Sequence, residues 1–346
     1  MSPMRVSILA PTAPTPPAEI ARYVVELERV GLDLVWVGEP YGFDAPTLLG
    51  YLAGQTTSVE VGAGILPIYS RTPSLTAMTA AGLDWVSGGR AVLGLGASGP
   101  QVVEGWHGVV YDRPVARTRE VIDICRKVWR REVLMHEGSA YQVPLPASQG
   151  TGLVKPLKLL AKPVRSQIPI YVAALGEKNV ELAAEIADGW NPLFFSPRRA
   201  RETWGKALDA GAARRSPDLG PIEICAGGLV AIGDDAASLR GLARPHIALY
   251  VGGMGARGHN FYNELFARYG YEKEAHEIQE HFLEGRRNEA ESAIPEAFLE
   301  EVTLCGPKAY IKDRLVEYEE AGVTLLNADL VGPDPVGTLA ELKTLL

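Results

Sequence analysis

The fold of this protein is indicated first by residues 5–38, RVSILAPTAPTPPAEIARYVVELERVGLDLVWVG. Two short apolar runs in it, Arg5–Ala10 and Leu34–Gly38, have the composition of buried β-strands. The segment between them begins with two prolines, ends at Gly31 and has apolar residues at the spacing of one helical face. These apolar residues are Ile20, Val24 and Leu27. The stretch therefore predicts a strand–helix–strand unit of a parallel sheet.

The same alternation of strand and helix continues to the end of the chain. The candidate strands are Arg5–Ala10, Leu34–Gly38, Val59–Leu66, Ala91–Gly96, Ile168–Ala174, Trp190–Phe195, Ile222–Ala231 and Thr324–Val331. Eight strand–helix repeats favour a closed barrel, because an open doubly wound sheet normally uses about five to seven strands. We therefore expect an α/β fold, a (β/α)₈ TIM barrel that forms one domain over residues 1–346.

Two stretches, about 99–167 and 252–304, are too long for a plain helix with its loops and are interpreted as insertions. The first contains the amphipathic segment Val115–Arg131, followed by a Pro/Gly-rich span, residues 138–169, that could include a hairpin. The second contains the charged segment Glu272–Asn288, which predicts a helix. Insertions that follow barrel strands lie at the C-terminal face, where substrates bind.

Composition narrows the class of protein. The 346 residues are 47% hydrophobic and carry a net charge of −8 without a long Lys/Arg run, which argues against a nucleic-acid partner. Cys125, Cys225 and Cys305 lack the spacing of a disulfide framework or a zinc site, and the histidines lack metal-ligand spacing. Residues 1–17 lack the apolar run of a signal peptide or membrane span. We expect a cytoplasmic enzyme that acts on a small molecule, with no metal and no membrane partner.

The predicted strand ends are small and rich in glycine, which suits a flat organic cofactor better than a cage of polar ligands. Residues 96–99, GASG, and residues 174–179, ALGEKN, offer unhindered backbone N–H groups next to a helix start. Such an arrangement is suited to phosphate, although each turn alone is also typical of tight packing. Neither segment has the context of a Rossmann fingerprint, and the Walker pattern is missing.

Residues 89–120, GRAVLGLGASGPQVVEGWHGVVYDRPVARTRE, resemble the strand-four signature of luciferase-like oxidoreductases. The resemblance is strongest to the branch that uses the deazaflavin coenzyme F420 and includes methylenetetrahydromethanopterin reductases. It covers most of the chain except about 252–300. The supporting segments are WVGEP (36–40), AGILPIYSRTP (63–73), IPIYVAALGEKNVELAAEIADGW (168–190) and GPKAYIKDRL (306–315).

The resemblance implies a set of cofactor-binding residues. In such enzymes a non-prolyl cis peptide at the end of strand three supports one face of the deazaflavin ring, and Gly64 and Ile65 occupy that place here. The turn after strand four would follow the ribityl and phosphate portion, the turn after strand five would face the phosphate, and Lys178 could supply charge. The residues of these two turns are Gly96, Ala97, Ser98, Gly99, Ala174, Leu175 and Gly176.

Glu39 lies where relatives often place an acidic or polar group beside the ring. A carboxylate in a poorly hydrated pocket could exchange a proton with the substrate, so Glu39 is the predicted catalytic residue; the alternative is a structural salt bridge. Some relatives have Asp followed by His here, whereas Pro40 takes the second place, which disfavours a sugar-phosphate dehydrogenase. Rim residues predicted to line the substrate pocket, with plain packing as the alternative, are Tyr69, His107, Trp190 and Asn191.

Three functions remain open from the sequence. The first is hydride transfer between coenzyme F420 and an unidentified organic substrate. The second keeps the fold but binds FMN and activates oxygen, and the third is a flavin-binding protein without turnover. Barrels of this family often form dimers, and the helices predicted over Thr72–Val86 and Glu177–Ala187 could serve a homodimer.

Overall fold

A closed barrel of eight parallel strands forms the centre of the computed structural model, which describes residues 3–346. The strands are Arg5–Leu9 (β1), Leu34–Val37 (β2), Glu60–Ala63 (β3), Ala91–Gly96 (β4), Ile170–Ala173 (β5), Gly189–Trp190 (β6), Glu223–Ile232 (β7) and Leu325–Leu330 (β8). Each strand pairs with the next, and β8 pairs with β1 in the register Arg5–Leu325. The predicted (β/α)₈ barrel is confirmed.

A helix follows each strand on the outside of the barrel. The helices are Pro17–Arg29 (α1), Ala45–Gln55 (α2), Pro73–Ser87 (α3), Pro114–Trp129 (α4), Glu177–Ile186 (α5), Pro197–Ala212 (α6), Lys308–Glu320 (α7) and Pro335–Leu345 (α8). Asp44 and Thr72 cap α2 and α3 by accepting hydrogen bonds from N–H groups of the first turn. Strand ends and helix N-termini therefore meet at one rim of the barrel.

The strands differ from the prediction mainly at the sixth strand, at the third strand and by one additional strand. The sixth strand is only Gly189–Trp190, because the chain turns away after it and Phe194 adopts a left-handed φ of 53°. The predicted third strand ends at Ala63, and Leu66–Pro67 then pairs with β4 separately. An additional strand, Leu304–Gly306, pairs with the upper end of β7.

The barrel interior has a polar amino end and an apolar middle. At the amino end Arg5 forms ion pairs with Glu60 and Glu223, and the Tyr171 hydroxyl donates to Glu223. Above this layer, buried side chains from four strands fill the barrel. They are Leu34, Trp36, Val92, Cys225 and Leu325. The barrel is therefore a packed core that is closed below its carboxyl rim.

Both insertions follow barrel strands, as predicted. The first contains the short helix Pro100–Gly105, then α4, and then a hairpin of His136–Glu137 with Gln142–Val143. The Glu120 carboxylate of α4 holds this hairpin by accepting backbone N–H groups of residues 139–141.

The second insertion is a helical subassembly. Its helices are Phe261–Arg268, Glu272–Leu283, Arg287–Ser292 and Glu296–Val302. The single helix predicted over Glu272–Asn288 is wrong, because Gly285 adopts a left-handed φ of 81° and divides it.

Cys125, Cys225 and Cys305 are buried free thiols. Within residues 3–346, no helix has both the length and the apolar character needed to cross a membrane. The same part of the chain contains no group of three or more His, Cys, Asp or Glu side chains that could hold a metal ion.

Candidate active site

A flat floor of glycines lies at the carboxyl ends of three adjacent strands. Gly38 follows β2, Gly64 follows β3, and Gly96 is the last residue of β4. A Cβ atom at Gly64 would lie 3.0 Å from the Trp36 Cβ, and one at Gly96 would lie 2.9 Å from the Ile65 Cδ1. A side chain at Gly64 or Gly96 would therefore press on Trp36 or Ile65, and without one the backbone itself forms the surface of the rim.

The peptide bond between Gly64 and Ile65 is cis, which confirms the predicted backbone geometry at the end of β3. The Ile65 side chain packs over the inner face of β4, against Gly94 and Gly96, and remains half-buried. It adds an aliphatic surface to the glycine floor. Such a surface can support one face of a planar ring, which stays a prediction for this chain.

The two glycine-rich turns predicted to bind phosphate lie side by side, because β4 and β5 pair in the register Gly96–Ala173. Ser98 adopts a left-handed φ of 58° and Gly99 precedes the helix Pro100–Gly105. Gly176 precedes α5 without a side-chain cap, and no atom lies within 4 Å of the position that its Cβ would take. The space beside Gly176 is therefore open, and both turns, which include Ala97, Ala174 and Leu175, precede a helix whose first N–H groups have no side-chain cap.

Two cations lie beside the start of α5. Lys178 is exposed and, within residues 3–346, has no ion-pair partner. Arg268, from the second insertion, donates to the Leu175 carbonyl oxygen at 3.3 Å. The sequence analysis missed Arg268, because 93 positions separate it from Leu175 and no local pattern joins the two. Both side chains can neutralise a phosphate at this turn.

Glu39 is held in an ion pair. Its side chain is 9% exposed, its two oxygens contact the Arg71 guanidinium, and Oε2 lies 2.8 Å from Nη2. The same oxygen accepts the backbone N–H of Ala45 at the start of α2, at 2.9 Å. The Glu39 carboxylate in turn raises the pKa of Arg71 above its ordinary value. The structural salt bridge that was the alternative interpretation of Glu39 is therefore present, and the proton-transfer role of Glu39 stays a prediction.

Asp329 is a carboxyl group at this rim that the sequence analysis missed. Residues alternate along β8, and Leu325 packs in the barrel interior while Asn327 Oδ1 accepts from the Ser7 hydroxyl at 3.2 Å. Asp329 follows on the same inner face at the carboxyl end of the strand. The alternation of β8 was the signal that could have found it.

The Asp329 carboxyl has no hydrogen-bond or ion-pair partner within the described chain, and it is half-buried. Burial raises its pKa to about 6. The titratable side chain that interacts with Asp329 is Tyr23 of α1. Burial, and after it the Asp329 carboxylate, raises the pKa of the Tyr23 hydroxyl to about 12. A partly accessible carboxyl that titrates near neutral pH can take up and release a proton.

Two residues predicted for the substrate pocket are structural instead. Trp190 is completely buried, donates to the Ala174 carbonyl at 2.9 Å and packs on Trp204. Tyr69 is 6% exposed, and its hydroxyl donates to the Asp112 carbonyl at 2.7 Å. Both rings therefore fix loops of the rim, because burial and a satisfied hydrogen bond leave them little surface for a ligand.

His107 and Asn191 remain accessible at the rim. Both are half-buried, and their backbone N–H groups donate to Val102 and Val172 carbonyls at 3.2 and 3.0 Å. Their side chains are compatible with the predicted pocket, and their role there stays a prediction.

Aromatic side chains surround the open end of the barrel. Tyr41 and Trp106, on the loops after β2 and β4, lie 6.3 Å apart between ring centroids and are 58% and 65% exposed. On the opposite side Tyr250 lies 4.5 Å from the His246 ring, and Phe194 lies 5.8 Å from the same ring. The end of β6 and the segment that precedes the second insertion therefore complete the mouth.

The residues present fit a planar cofactor that carries a phosphate. The glycine floor and Ile65 provide a flat surface, and the turns at Ser98 and Gly176 provide N–H donors on neighbouring strands. Lys178 and Arg268 add positive charge on the phosphate side. The floor and these two turns are contiguous, as a ring with a phosphorylated tail requires.

Comparison with known proteins identifies the family. The model of the family described as "Luciferase-like monooxygenase" matches residues 3–325. The chain is 42% identical over 332 residues to the "Putative coenzyme F420-dependent oxidoreductase" of Mycobacterium tuberculosis, which covers 94% of this chain and 95% of that protein. It is 27% identical over 323 residues to the 5,10-methylenetetrahydromethanopterin reductase of Archaeoglobus fulgidus, with 91% of each chain covered.

A solved structure has the same fold. The coenzyme F420-dependent tetrahydromethanopterin reductase of Methanopyrus kandleri superposes with a TM-score of 0.80 at 23% identity, over 99% of this chain and 97% of that one. The family match over nearly the whole chain, together with the barrel and its cofactor-sized rim, shows that this protein belongs to the luciferase-like monooxygenase family.

Proposed function

We propose that this protein is an oxidoreductase that transfers hydride between coenzyme F420 and a small organic substrate. The observation that carries the proposal is the glycine floor beside the two uncapped turns of β4 and β5. The F420 named for relatives of the same family supports the choice of cofactor. When bound, the deazaflavin supplies a ring carbon that accepts or donates hydride.

The chain's own contribution to this reaction is positioning and charge. Gly64, Ile65 and Gly96 would support one face of the ring, and Ser98, Gly99 and Gly176 would bind the phosphate through backbone N–H groups. Lys178 and Arg268 would neutralise the phosphate charge. Glu39 acts indirectly, because its pairing with Arg71 and the Ala45 N–H fixes the loop between β2 and α2.

Asp329 is the group that we propose exchanges the proton. Hydride addition to a substrate leaves an electron pair on a neighbouring atom, and a carboxylic acid can protonate that atom in the same event. A pKa of about 6 keeps a usable fraction of Asp329 in each protonation state near neutral pH. The carboxyl is also available to a substrate, since no described side chain forms a hydrogen bond or an ion pair with it.

Cofactor titration tests this proposal. Purified apo-protein is mixed with coenzyme F420 or with FMN, and the tryptophan fluorescence is followed to equilibrium. We expect micromolar binding of F420 and weaker binding of FMN. Micromolar FMN binding without a response to F420 would favour the FMN-dependent monooxygenase. F420 binding with no turnover across alcohols, pterins and enones would favour the non-catalytic protein.

We further propose a homodimer that forms through α3. The outer face of this helix exposes four large apolar side chains, which is more than an isolated surface helix normally leaves in water. They are Leu75, Met78, Trp85 and Val86. Analytical ultracentrifugation tests this, and Trp85→Glu should shift the dimer to monomer. A monomeric parent protein would refute it.

The three buried free thiols support a reducing, cytoplasmic location.

A further inference from the structure

The mouth of the barrel carries an arch of aromatic rings. We define the aromatic arch as Tyr41, Trp106, Tyr250, His246 and Phe194. These residues lie on the loops after β2 and β4, on the segment that precedes the second insertion, and near the end of β6. Tyr41 lies close enough to Tyr250 to contribute to the raised pKa of the Tyr250 hydroxyl, after burial. The arch therefore spans from β2 to β6, which lie on opposite sides of the barrel.

The arch is built with local features that proteins use at binding sites. Phe194 holds a left-handed φ of 53°, an uncommon conformation for a bulky side chain, and its ring meets His246, Tyr250 and Tyr262 edge-on. Tyr250 lies in the single π-helical turn Leu249–Gly253. Such turns occur frequently at functional sites. Phe194 and Tyr250 of the arch are thus presented by irregular backbone.

Arginines near the arch already contact carboxylates. Arg71 pairs with Glu39, while Arg113 and Arg117 share the single carboxylate of Asp112. A phosphate or carboxylate that bound to one of them would have to compete with a contact that already exists.

Two arginines within residues 244–257 are paired in the same way. Arg244 pairs with Glu296, and Arg257 pairs with Glu280. Burial lowers the pKa of His246, so the imidazole of the arch is neutral at physiological pH.

Charges without an ion-pair partner also occur at this end of the barrel. Lys178 and Arg268 lie beside α5, at the turn proposed for the cofactor phosphate. Strand alternation places Asp329 on the inner face of β8, where its unpaired carboxyl would repel an anion when ionised. Planar rings are attracted by aromatic faces and edges, and they need no counter-charge.

We infer that the mouth selects a planar, uncharged substrate and excludes phosphorylated or carboxylated ones. This inference rests on the proposed function for what happens after binding, but the selection itself is a property of the arch. The substrate ring would lie between the aromatic arch and the glycine floor. Its electron-accepting group, a carbonyl, imine or activated double bond, would face the inner end of β8.

A matched pair of probes tests the selection. 2-Acetylnaphthalene is planar and neutral, whereas 2-naphthoate has the same ring with a negative charge at pH 8, and glucose 6-phosphate is an anion without a ring system that can stack. Binding of each probe is measured by equilibrium dialysis, with and without saturating F420. We expect the neutral ketone to bind at least about tenfold more tightly than either anion. Equal or tighter binding of an anion, or no binding of the ketone, would overturn the inference.

Substitutions locate the binding to the arch. Tyr41→Ala and Trp106→Ala should each weaken binding of 2-acetylnaphthalene by about tenfold, because each removes a stacking surface. Tyr51→Ala is the matched control, since Tyr51 is 41% exposed on α2. Circular dichroism checks that each variant is folded. If one of the two arch variants does not fold, the other one is sufficient for the test. The same affinity loss in the control, or no loss in a folded arch variant, would contradict the inference.

The two proposals fail separately in this design. If F420 binds but the neutral probe does not, the substrate class is wrong and the proposed cofactor stands. If the neutral probe binds at the arch but F420 does not bind, the proposed function is wrong and the selection by the arch stands.

Discussion

Asp329→Asn separates the catalytic interpretation of this carboxyl from a structural one. The substitution preserves shape and removes the charge. The pKa of Asp329 is raised by burial from 3.8 to about 6, so the folded protein binds this proton more tightly than the unfolded chain does. Ionising the group in the folded state therefore costs stability. This cost is absent well below pH 3.8, grows as the pH rises toward 6, and is constant above it.

The magnitude follows from the difference between the two pKa values. At 1.36 kcal/mol per pKa unit, the cost is about 3 kcal/mol at pH 8 and about 1 kcal/mol at pH 4.5. Asp329→Asn should raise the free energy of unfolding by up to these amounts. For a chain of this length, about 3 kcal/mol corresponds to a rise of about 4 °C in Tm.

Urea unfolding followed by tryptophan fluorescence at both pH values measures the effect. In the same variant, turnover with F420 should fall by about 100-fold or more, because a positioned acid commonly contributes that much. A gain in stability together with a loss of activity is typical of a residue retained for function. Asp334→Ala, on the following loop, is the control: it removes the cap on Gly337 of α8 and should cost about 1 kcal/mol of stability. If Asp329→Asn is less stable than the parent at pH 8, the carboxylate has a stabilising partner and the reasoning is refuted.

Three further outcomes are expected. Gly96→Val should abolish F420 binding, because even a Cβ atom at this position would lie 2.9 Å from Ile65 Cδ1. Circular dichroism should show that the barrel remains folded. An F420 affinity equal to that of the parent would show that the glycine floor does not bind the ring. Arg268→Ala should weaken F420 binding by about tenfold, because it removes one charged contact to the phosphate. The control is Arg257→Ala, which should leave F420 binding unchanged, since Arg257 pairs with Glu280 on the same insertion. Equal effects of the two substitutions would show that Arg268 is not part of the site. Glu120→Gln should destabilise the parent protein at pH 7 by about 1 to 3 kcal/mol, because hydrogen bonds from residues 139–141 hold the Glu120 pKa below its ordinary value of 4.5. That stabilisation is present above the ordinary pKa and is lost as the pH falls through the lowered one, so a difference in unfolding free energy that grows toward acid pH would contradict the assignment.

The sequence by itself determined the barrel and the position of its cofactor rim. Apolar periodicity is a local property, so alternating runs such as Arg5–Ala10 and Leu34–Gly38 identify buried strands before any contact is known. Glycine-rich turns are also local, because a backbone that must pass close to its neighbours tolerates no side chain. The resemblance added the cis bond at Gly64–Ile65, which no periodicity predicts and which the structure contains.

Only the tertiary structure decided the electrostatic roles at that rim. Glu39 and Arg71 are 32 positions apart, and only the folded chain brings them together as an ion pair. Arg268 reaches Leu175 across 93 positions, and Trp190 is placed in the core by rings from other segments. Asp329 gained its raised pKa in the opposite way, because the fold buries it and brings no partner to it. Charge pairing and desolvation depend on distances between remote parts of the chain, and those distances exist only once the barrel has closed.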